Sequence, residues 1–316
     1  MSYPKTYRAI RRTAKPYPLS IEFSTETLPE KLGPTEIIIR IHAASLNYRD
    51  VAMLREGGYP LPVEDRGIEG SCCAAEVISI GDAVKKFALG DHVAPTVNLN
   101  FLTGEERDAD AATITGVGIT TWVSLDELKG VPKDATALLQ GTGGVSIMAL
   151  IVCLAAGIRP IITSSSDEKL ERLKKINSAV QGVNYKTTPD IAAEVLRLTN
   201  GKGVDYVFNN AGLSSIPTDL QMLRKYGGSI ALIGFLEGFN ADWSPSLLMT
   251  LIAKAAKIKG LLAGSRADLE AVSKFLEEKK VSLQPLVDRV FAFDDAKAAF
   301  DYLESGNHVG KVVIKI

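Results

Sequence analysis

The sequence predicts an α/β protein in which a doubly wound parallel sheet is joined to a smaller β-rich domain. Three observations carry this expectation. Short apolar strands alternate with helical stretches after about residue 116, the region before it reads as β, and a glycine-rich turn links the first alternating strand to a helix. At 316 residues the chain is long enough for two domains, and a 46% hydrophobic content supplies a substantial core.

In the first third, Ile37, Ile39 and Ile41 alternate with Ile38, Arg40 and His42, the period-2 signature of a half-buried strand. A second strand over 75–80 is closed by the turn Gly81-Asp82, and Gly90-Asp91 marks another turn before Val93. Helical periodicity is sparse up to Gly116. From there, a strand over 137–140 runs through the glycine turn into an apolar helix over 145–156, and a second strand follows at 160–163. Ser166 is placed to cap the next helix, with Asp167 and Glu168 in its first turn and Leu170, Leu173 and Ile176 on its buried side. Strand-like segments recur at 182–185, 204–208 and 229–233. A helix from about Asp268 carries Leu269, Val272, Phe275 and Leu276 on one side. Another begins near Asp294, buries Ala296, Ala299, Phe300 and Leu303, and stops at Gly306; a last strand covers 312–316.

Charge and cysteine usage narrow the function. The chain has 36 basic and 37 acidic residues, a formal charge of −1, and no Lys/Arg block, so a nucleic-acid partner is not expected. Cys72, Cys73 and Cys153 form neither a CxxC pair nor a disulfide framework. The N-terminal stretch is polar and proline-bearing, unlike a signal, and the longest apolar run, 147–157, is too short to span a bilayer. A reduced, cytoplasmic setting without a membrane partner is the expectation.

The strongest chemical signal is LLQGTGGVS, residues 138–146. Gly141 allows a sharp turn after the strand, Gly143 leaves room for a close pyrophosphate, and Gly144 adds further space. Thr142 and Val145 lie within the same turn, and the following helix offers N–H groups and a positive dipole end to phosphate oxygens. Ser146 stands where tight helix–strand packing usually selects Gly or Ala. About 20 positions beyond such a motif, an NAD site usually carries an acidic residue for the ribose hydroxyls. This chain reads Thr163-Ser164-Ser165-Ser166 there, which leaves space and donors for a 2′-phosphate. Lys169, and less directly Arg172, lie within the next turn as phosphate partners, so NADP(H) is the expected cofactor.

His42, His92 and His308 are dispersed without ligand spacing, and Glu69 and Asp91 read as scaffold and turn residues, so no metal site is expected. Without a metal, hydride transfer needs hydrogen-bond donors for the developing oxyanion. Asn47 and Tyr48, in ASLNYRD, are the candidate catalytic pair, with Asp50 orienting Asn47 and Tyr48 able to supply a proton. Tyr59 is a weaker candidate.

Together ASLNYRD, RGIEGSCCAAEVISIGDAVKKFALGDHV, GVGITTW, LLQGTGGVS, TSSSDEKLERLK and HVGKVVIKI resemble the medium-chain dehydrogenase/reductase superfamily, above all its zinc-free quinone-oxidoreductase-like branch. The resemblance implies a GroES-like β-barrel domain over residues 1–115 and 264–316 and a Rossmann domain over 116–263. It places Asn47, Gly67-Ile68-Glu69 and Gly116 where zinc alcohol dehydrogenases carry their metal ligands, so no ligand set survives. It further implies cofactor contacts from Thr120, Lys169, Tyr185, Asn209, Gly234 with Phe235, Ala263-Gly264-Ser265 and Lys311, beside Ser164 and Ser165 read above from their hydroxyls. Relatives often form homodimers through the nucleotide-binding sheet, and the apolar stretch 247–252 is a candidate contact or, more simply, a core helix. Between Asn98 and Thr113 the chain is shorter than such relatives by roughly 40 residues, which truncates the substrate domain. The leading functional reading is NADPH-dependent reduction of a small carbonyl, enone or quinone. A metal-free alcohol dehydrogenase and a nucleotide-binding protein with little turnover remain as alternatives.

Overall fold

In a computed structural model the chain is described over residues 3–95 and 116–316, so the shortened stretch around 98–113 lies outside the described residues. The chain divides into two compact units. One holds residues 3–95 together with Val287–Ile316, and the other holds Gly116–Leu286.

The second unit is the doubly wound sheet. Its six strands are all parallel, in the spatial order Lys257–Gly260, Ser229–Leu232, Tyr206–Asn209, Thr136–Leu139, Arg159–Ser164, Gln181–Asn184. Thr136–Leu139 is the first strand in sequence and lies centrally. The chain then runs outward through two strands, returns to the other flank, and runs outward again. The reversal falls between Thr136–Leu139 and Tyr206–Asn209, and parallel sheets place ligands beyond the strand ends at such a point. The first three of the six strands in sequence are linked by the apolar helix Gly144–Ala156 and the amphipathic helix Asp167–Ile176. Ser166 caps the latter as expected, accepting from Lys169 N at 3.3 Å. Leu170 and Leu173 are buried there, but Ile176, expected on the same side, is exposed because it closes the last turn. Leu138, Ile161, Val183, Val207 and Ile230 form a continuous core with Val195, Ile216 and Leu220 of the covering helices.

The helix Arg266–Glu278, which the sequence reading places in the substrate domain, belongs to this unit; the division falls at Val287 rather than at 264. Its packing explains the difference. Phe275 meets Trp122 of the helix Gly116–Ser124 at 5.5 Å between ring centroids, and Val272 is buried beneath it. In the stretch 247–252, Leu247 and Leu251 pack on the core while Met249 and Ile252 are exposed.

The first unit is β-rich. A ribbon of Thr6–Arg12 and Ile21–Thr27 accompanies a five-stranded sheet in the order Val287–Ala292, Lys311–Lys315, Ile37–Ser45, Cys73–Ile80, His92–Val93. Among the described residues these strands form a sheet and a ribbon rather than a closed barrel. The isoleucine alternation in Ile37–Ser45 does not hold as expected: Ile38 is buried and Ile41 exposed. The register shifts at Ile38/Ile39 and again at Ile41/Ala43, and each irregularity re-aims the side chains that follow. The helix Ala296–Glu304 buries Ala296, Ala299, Phe300 and Leu303 against Ile10, Leu46, Val51, Val312 and Ile314. No helix among the described residues is long and apolar enough to cross a membrane.

Candidate functional site

Each unit carries a cluster of the residues singled out from sequence. In the nucleotide unit the chain leaves Thr136–Leu139 at Gln140 and turns through Gly141 at φ +76°, a left-handed conformation costly to a residue with a Cβ. Space around Gly141 is open: a Cβ built there meets nothing within 4 Å. Gly141 N–H donates to Thr163 Oγ1 at 3.3 Å, tying the turn to the neighbouring strand. Gly143 is the N-cap of Gly144–Ala156 and has no side-chain cap, and no acidic residue sits in the first turn. The helix tip therefore presents N–H groups and a positive dipole end to an anion. Thr142 is buried, whereas Gly144 and Val145 are partly exposed. Ser146 is buried, and its hydroxyl donates to Gln140 O at 2.8 Å; this bond accounts for a serine where Gly or Ala is usual.

At the end of the next strand Ser164 is buried, with its Oγ accepting from Ser166 N at 3.1 Å, and Ser165 is exposed. Lys169 is partly buried and Tyr185 half exposed nearby in the fold, each at the carboxyl end of this half of the sheet. Asp167 is occupied at the helix start, accepting from Asn184 Nδ2 at 2.8 Å. Gly234 and Phe235 follow the strand Ser229–Leu232 and are partly exposed; a Cβ on Gly234 would overlap the Asn210 backbone.

Other positions serve the scaffold. Thr120 is buried inside its helix, where its carbonyl accepts from Ser124 Oγ at 2.6 Å. Gly264 lies so close to the helix Gly116–Ser124 that a Cβ would overlap Ile119, with Ala263 at φ +52° just before it. Ser265 forms a capping box with Asp268 at the start of Arg266–Glu278. Asn209 is fully buried, and its Nδ2 donates to Asp219 Oδ2 at 2.6 Å and Ser215 Oγ at 2.8 Å. The sequence reading missed its neighbour Asn210, which bonds to Gln140, and it also missed Gln140 and Asp219. For Gln140 and Asn210 a polar type directly after a strand was the available signal; Asp219, inside the helix Ile216–Met222, had none.

In the first unit Asn47 N-caps the short helix Tyr48–Ala52 in a capping box with Asp50, whose Oδ2 accepts from Asn47 N at 2.7 Å. Asp50 thus holds the Asn47 backbone rather than its side-chain amide. Lys311, placed near the cofactor by the sequence reading, is 5% exposed and donates to Leu46 O at 2.5 Å and Asn47 Oδ1 at 2.6 Å. An ammonium can only donate, so the atom facing it is the amide oxygen, and Asn47 Nδ2 points to Ser71 Oγ at 3.1 Å and Cys72 Sγ at 3.2 Å. Burial lowers the Lys311 pKa and raises that of Asp50. Tyr48 goes elsewhere: its ring packs on the cluster around Phe300 and Val312. Tyr59 lies beneath the Arg49 guanidinium, 5.3 Å from its ring centre. Behind Asn47 sits a buried ion pair absent from the sequence reading, Arg12 Nη1 to Glu69 Oε1 at 2.6 Å, with side chains 5% and 1% exposed. Burial, with a contribution from Asp50, pushes the Glu69 carboxyl up to about 7 despite Arg12.

The comparisons with known proteins agree in both units. The alcohol dehydrogenase GroES-like domain matches residues 33–139, and the zinc-binding dehydrogenase domain matches 144–278. A zinc-type alcohol dehydrogenase-like protein of Schizosaccharomyces pombe is 34% identical, covering 92% of this chain and 93% of its own. The chain belongs to the medium-chain dehydrogenase/reductase superfamily. It is thereby an oxidoreductase by family. A mitochondrial NAD(P)H oxidoreductase of Danio rerio is 28% identical over 90% of this chain and 84% of its own. Among solved structures, a putative alcohol dehydrogenase of Sinorhizobium meliloti superposes with a TM-score of 0.86 at 26% identity, each chain fully covered. Quinone oxidoreductase of Escherichia coli complexed with NADPH shares the fold, with a TM-score of 0.75 at 21% identity over 98% of this chain and all of its own.

Some members of this superfamily bind zinc, and the residues here do not fit it. Asn47 Oδ1 and Glu69 Oε1 already accept from the cations Lys311 and Arg12, which would repel a dication. Ile68 offers no donor, and Gly116 has no side chain. Among the described residues no group of three or more His, Cys, Asp or Glu could hold a metal ion.

Proposed function

We propose that the chain is an NADPH-dependent, zinc-free reductase of a small carbonyl, enone or quinone. The observation that carries this reading is the open glycine turn at the switch point of the parallel sheet, flanked on the next strand by serine hydroxyls instead of a free carboxylate. Bound NADPH would supply the hydride. Gly141, Thr142, Gly143, Gly144 and Val145 would receive its pyrophosphate, and Ser164, Ser165, Lys169 and Tyr185 its adenosine phosphate. One relative's name reads NAD(P)H oxidoreductase, and one structural neighbour is complexed with NADPH, which supports a nicotinamide cofactor.

Asn47 is the group proposed to steady the oxyanion: Lys311 fixes its amide oxygen, and the Nδ2 hydrogen resting on the weak acceptor Cys72 Sγ is the one that would turn to substrate. The proton is proposed to come from solvent, since the Tyr48 ring is packed on the core. Asn47→Ala is expected to lower kcat about 100-fold, the scale for one oxyanion donor, whereas Tyr48→Phe changes it less than about threefold. Steady-state kinetics on both variants checks this, and the reverse order would restore Tyr48 as the acid. Following NADPH absorbance at 340 nm with a panel of quinones and enones tests the activity itself; no consumption with any of them would count against it.

The choice of phosphate is separately testable. Lys169→Ala is expected to weaken NADPH binding about tenfold while leaving NADH within twofold, the loss of one charge-assisted hydrogen bond. Fluorescence titration with both nucleotides decides it, and equal losses would remove Lys169 from the phosphate site. The exposed Met249 and Ile252 are a candidate contact for a homodimer, which sedimentation of the wild type against Ile252→Glu would reveal.

A further inference from the structure

We infer that Asp219 is a positioning residue for the dinucleotide, acting through Gln140 and Asn210 to fix the turn that receives the phosphates. The inference rests on the nucleotide-binding reading above. Asp219 lies on the helix Ile216–Met222 and is fully buried. Its Oδ1 accepts from Gln140 Nε2 at 2.8 Å, and its Oδ2 accepts from Asn209 Nδ2 at 2.6 Å and Ser215 Oγ at 3.1 Å. Burial pushes its carboxyl up to about 7 even with three donors around it.

What the carboxylate holds is the residue directly before Gly141. Gln140 is clamped at both ends. Its side-chain Oε1 accepts from the backbone N–H groups of Asn210 at 3.0 Å and Ala211 at 3.1 Å. Its backbone carbonyl accepts from Ser146 Oγ at 2.8 Å and Asn210 Nδ2 at 2.9 Å, and Asn210 Nδ2 also reaches Ser146 Oγ at 3.1 Å. The network therefore joins the loop after Thr136–Leu139, the first turn of the phosphate-facing helix and the loop after Tyr206–Asn209. These are the two strand ends on either side of the switch point. A turn already held in its binding geometry loses less freedom when ligand arrives, so breaking the link should cost affinity.

The test is titration of NADPH and NADH against the wild type, Asp219→Asn, Gln140→Met and the double variant, with thermal unfolding of each. Each single change is expected to weaken both nucleotides about tenfold and to raise the KM for NADPH by a similar factor with kcat within twofold. The double should be no weaker than the worse single, because both break one link. A purely structural role predicts instead that melting temperature falls while affinity well below it is unchanged, or that the two losses multiply; either result overturns the inference. If Asp219→Asn does not fold, Gln140→Met alone decides, and wild-type affinity in it refutes the proposal. A wild type that binds neither nucleotide fails before any variant is made, and that result sinks the proposed function along with it.

Discussion

Arg12→Met is expected to destabilise the β-rich unit by about 3–5 kcal/mol, the usual cost of leaving one partner of a buried ion pair alone. Glu69 has 1% of its side chain exposed and takes its close contact from Arg12 Nη1. The same guanidinium donates from Nη2 to Glu64 O at 2.8 Å, so that carbonyl is orphaned too. The loss carries a pH signature. The Glu69 carboxyl sits near 7, above its ordinary value, so its contribution to stability is complete below about 4.5 and is lost as pH rises through 7. Removing Arg12 pushes that carboxyl higher still, which leaves the folded variant protonated where the wild type is ionised. The destabilisation should then be smaller at pH 6 than at pH 8, measured by urea unfolding at both. Adding Glu69→Leu to Arg12→Met should recover most of the loss, since two apolar groups leave no buried charge. A pH-independent loss, or no recovery in the double variant, would show that packing rather than charge sets the cost.

Gly141→Val should weaken binding of either pyridine nucleotide about 30-fold or more. A β-branched residue at φ +76° costs roughly 2 kcal/mol, and the strain falls on the turn itself, because no neighbouring atom would push back on the new Cβ. The turn relaxes by moving Gly141 N–H off Thr163 Oγ1, which shifts the start of Gly144–Ala156. Calorimetric titration with NADPH and NADH reads the effect. Affinity within threefold of wild type in a folded variant would mean the phosphates do not sit over this turn.

Much of the nucleotide unit could be read directly from the chain. Thr163-Ser164-Ser165-Ser166, the cap at Ser166 and the glycine turn are local patterns, and local patterns fix local geometry. The β-rich unit was less readable. Two strands at Thr6–Arg12 and Ile21–Thr27 carry no alternation strong enough to announce them, and the helix Tyr48–Ala52 is too short to show a period. Asn209 illustrates the limit inside the site. Its place after a strand suggested cofactor contact; in the fold its amide turns inward to Asp219, while the next residue, Asn210, bonds to Gln140.

The sequence alone determined the parallel α/β unit and the glycine turn that opens its first helix, because each depends on residues adjacent or evenly spaced along the chain. Only the tertiary structure decided that Lys311 locks Asn47, that Arg12 neutralises Glu69 and that Gln140 meets Asp219. These partners lie 264, 57 and 79 residues apart. A buried charge or amide must find its partner wherever the fold brings one, and no short-range pattern records that meeting.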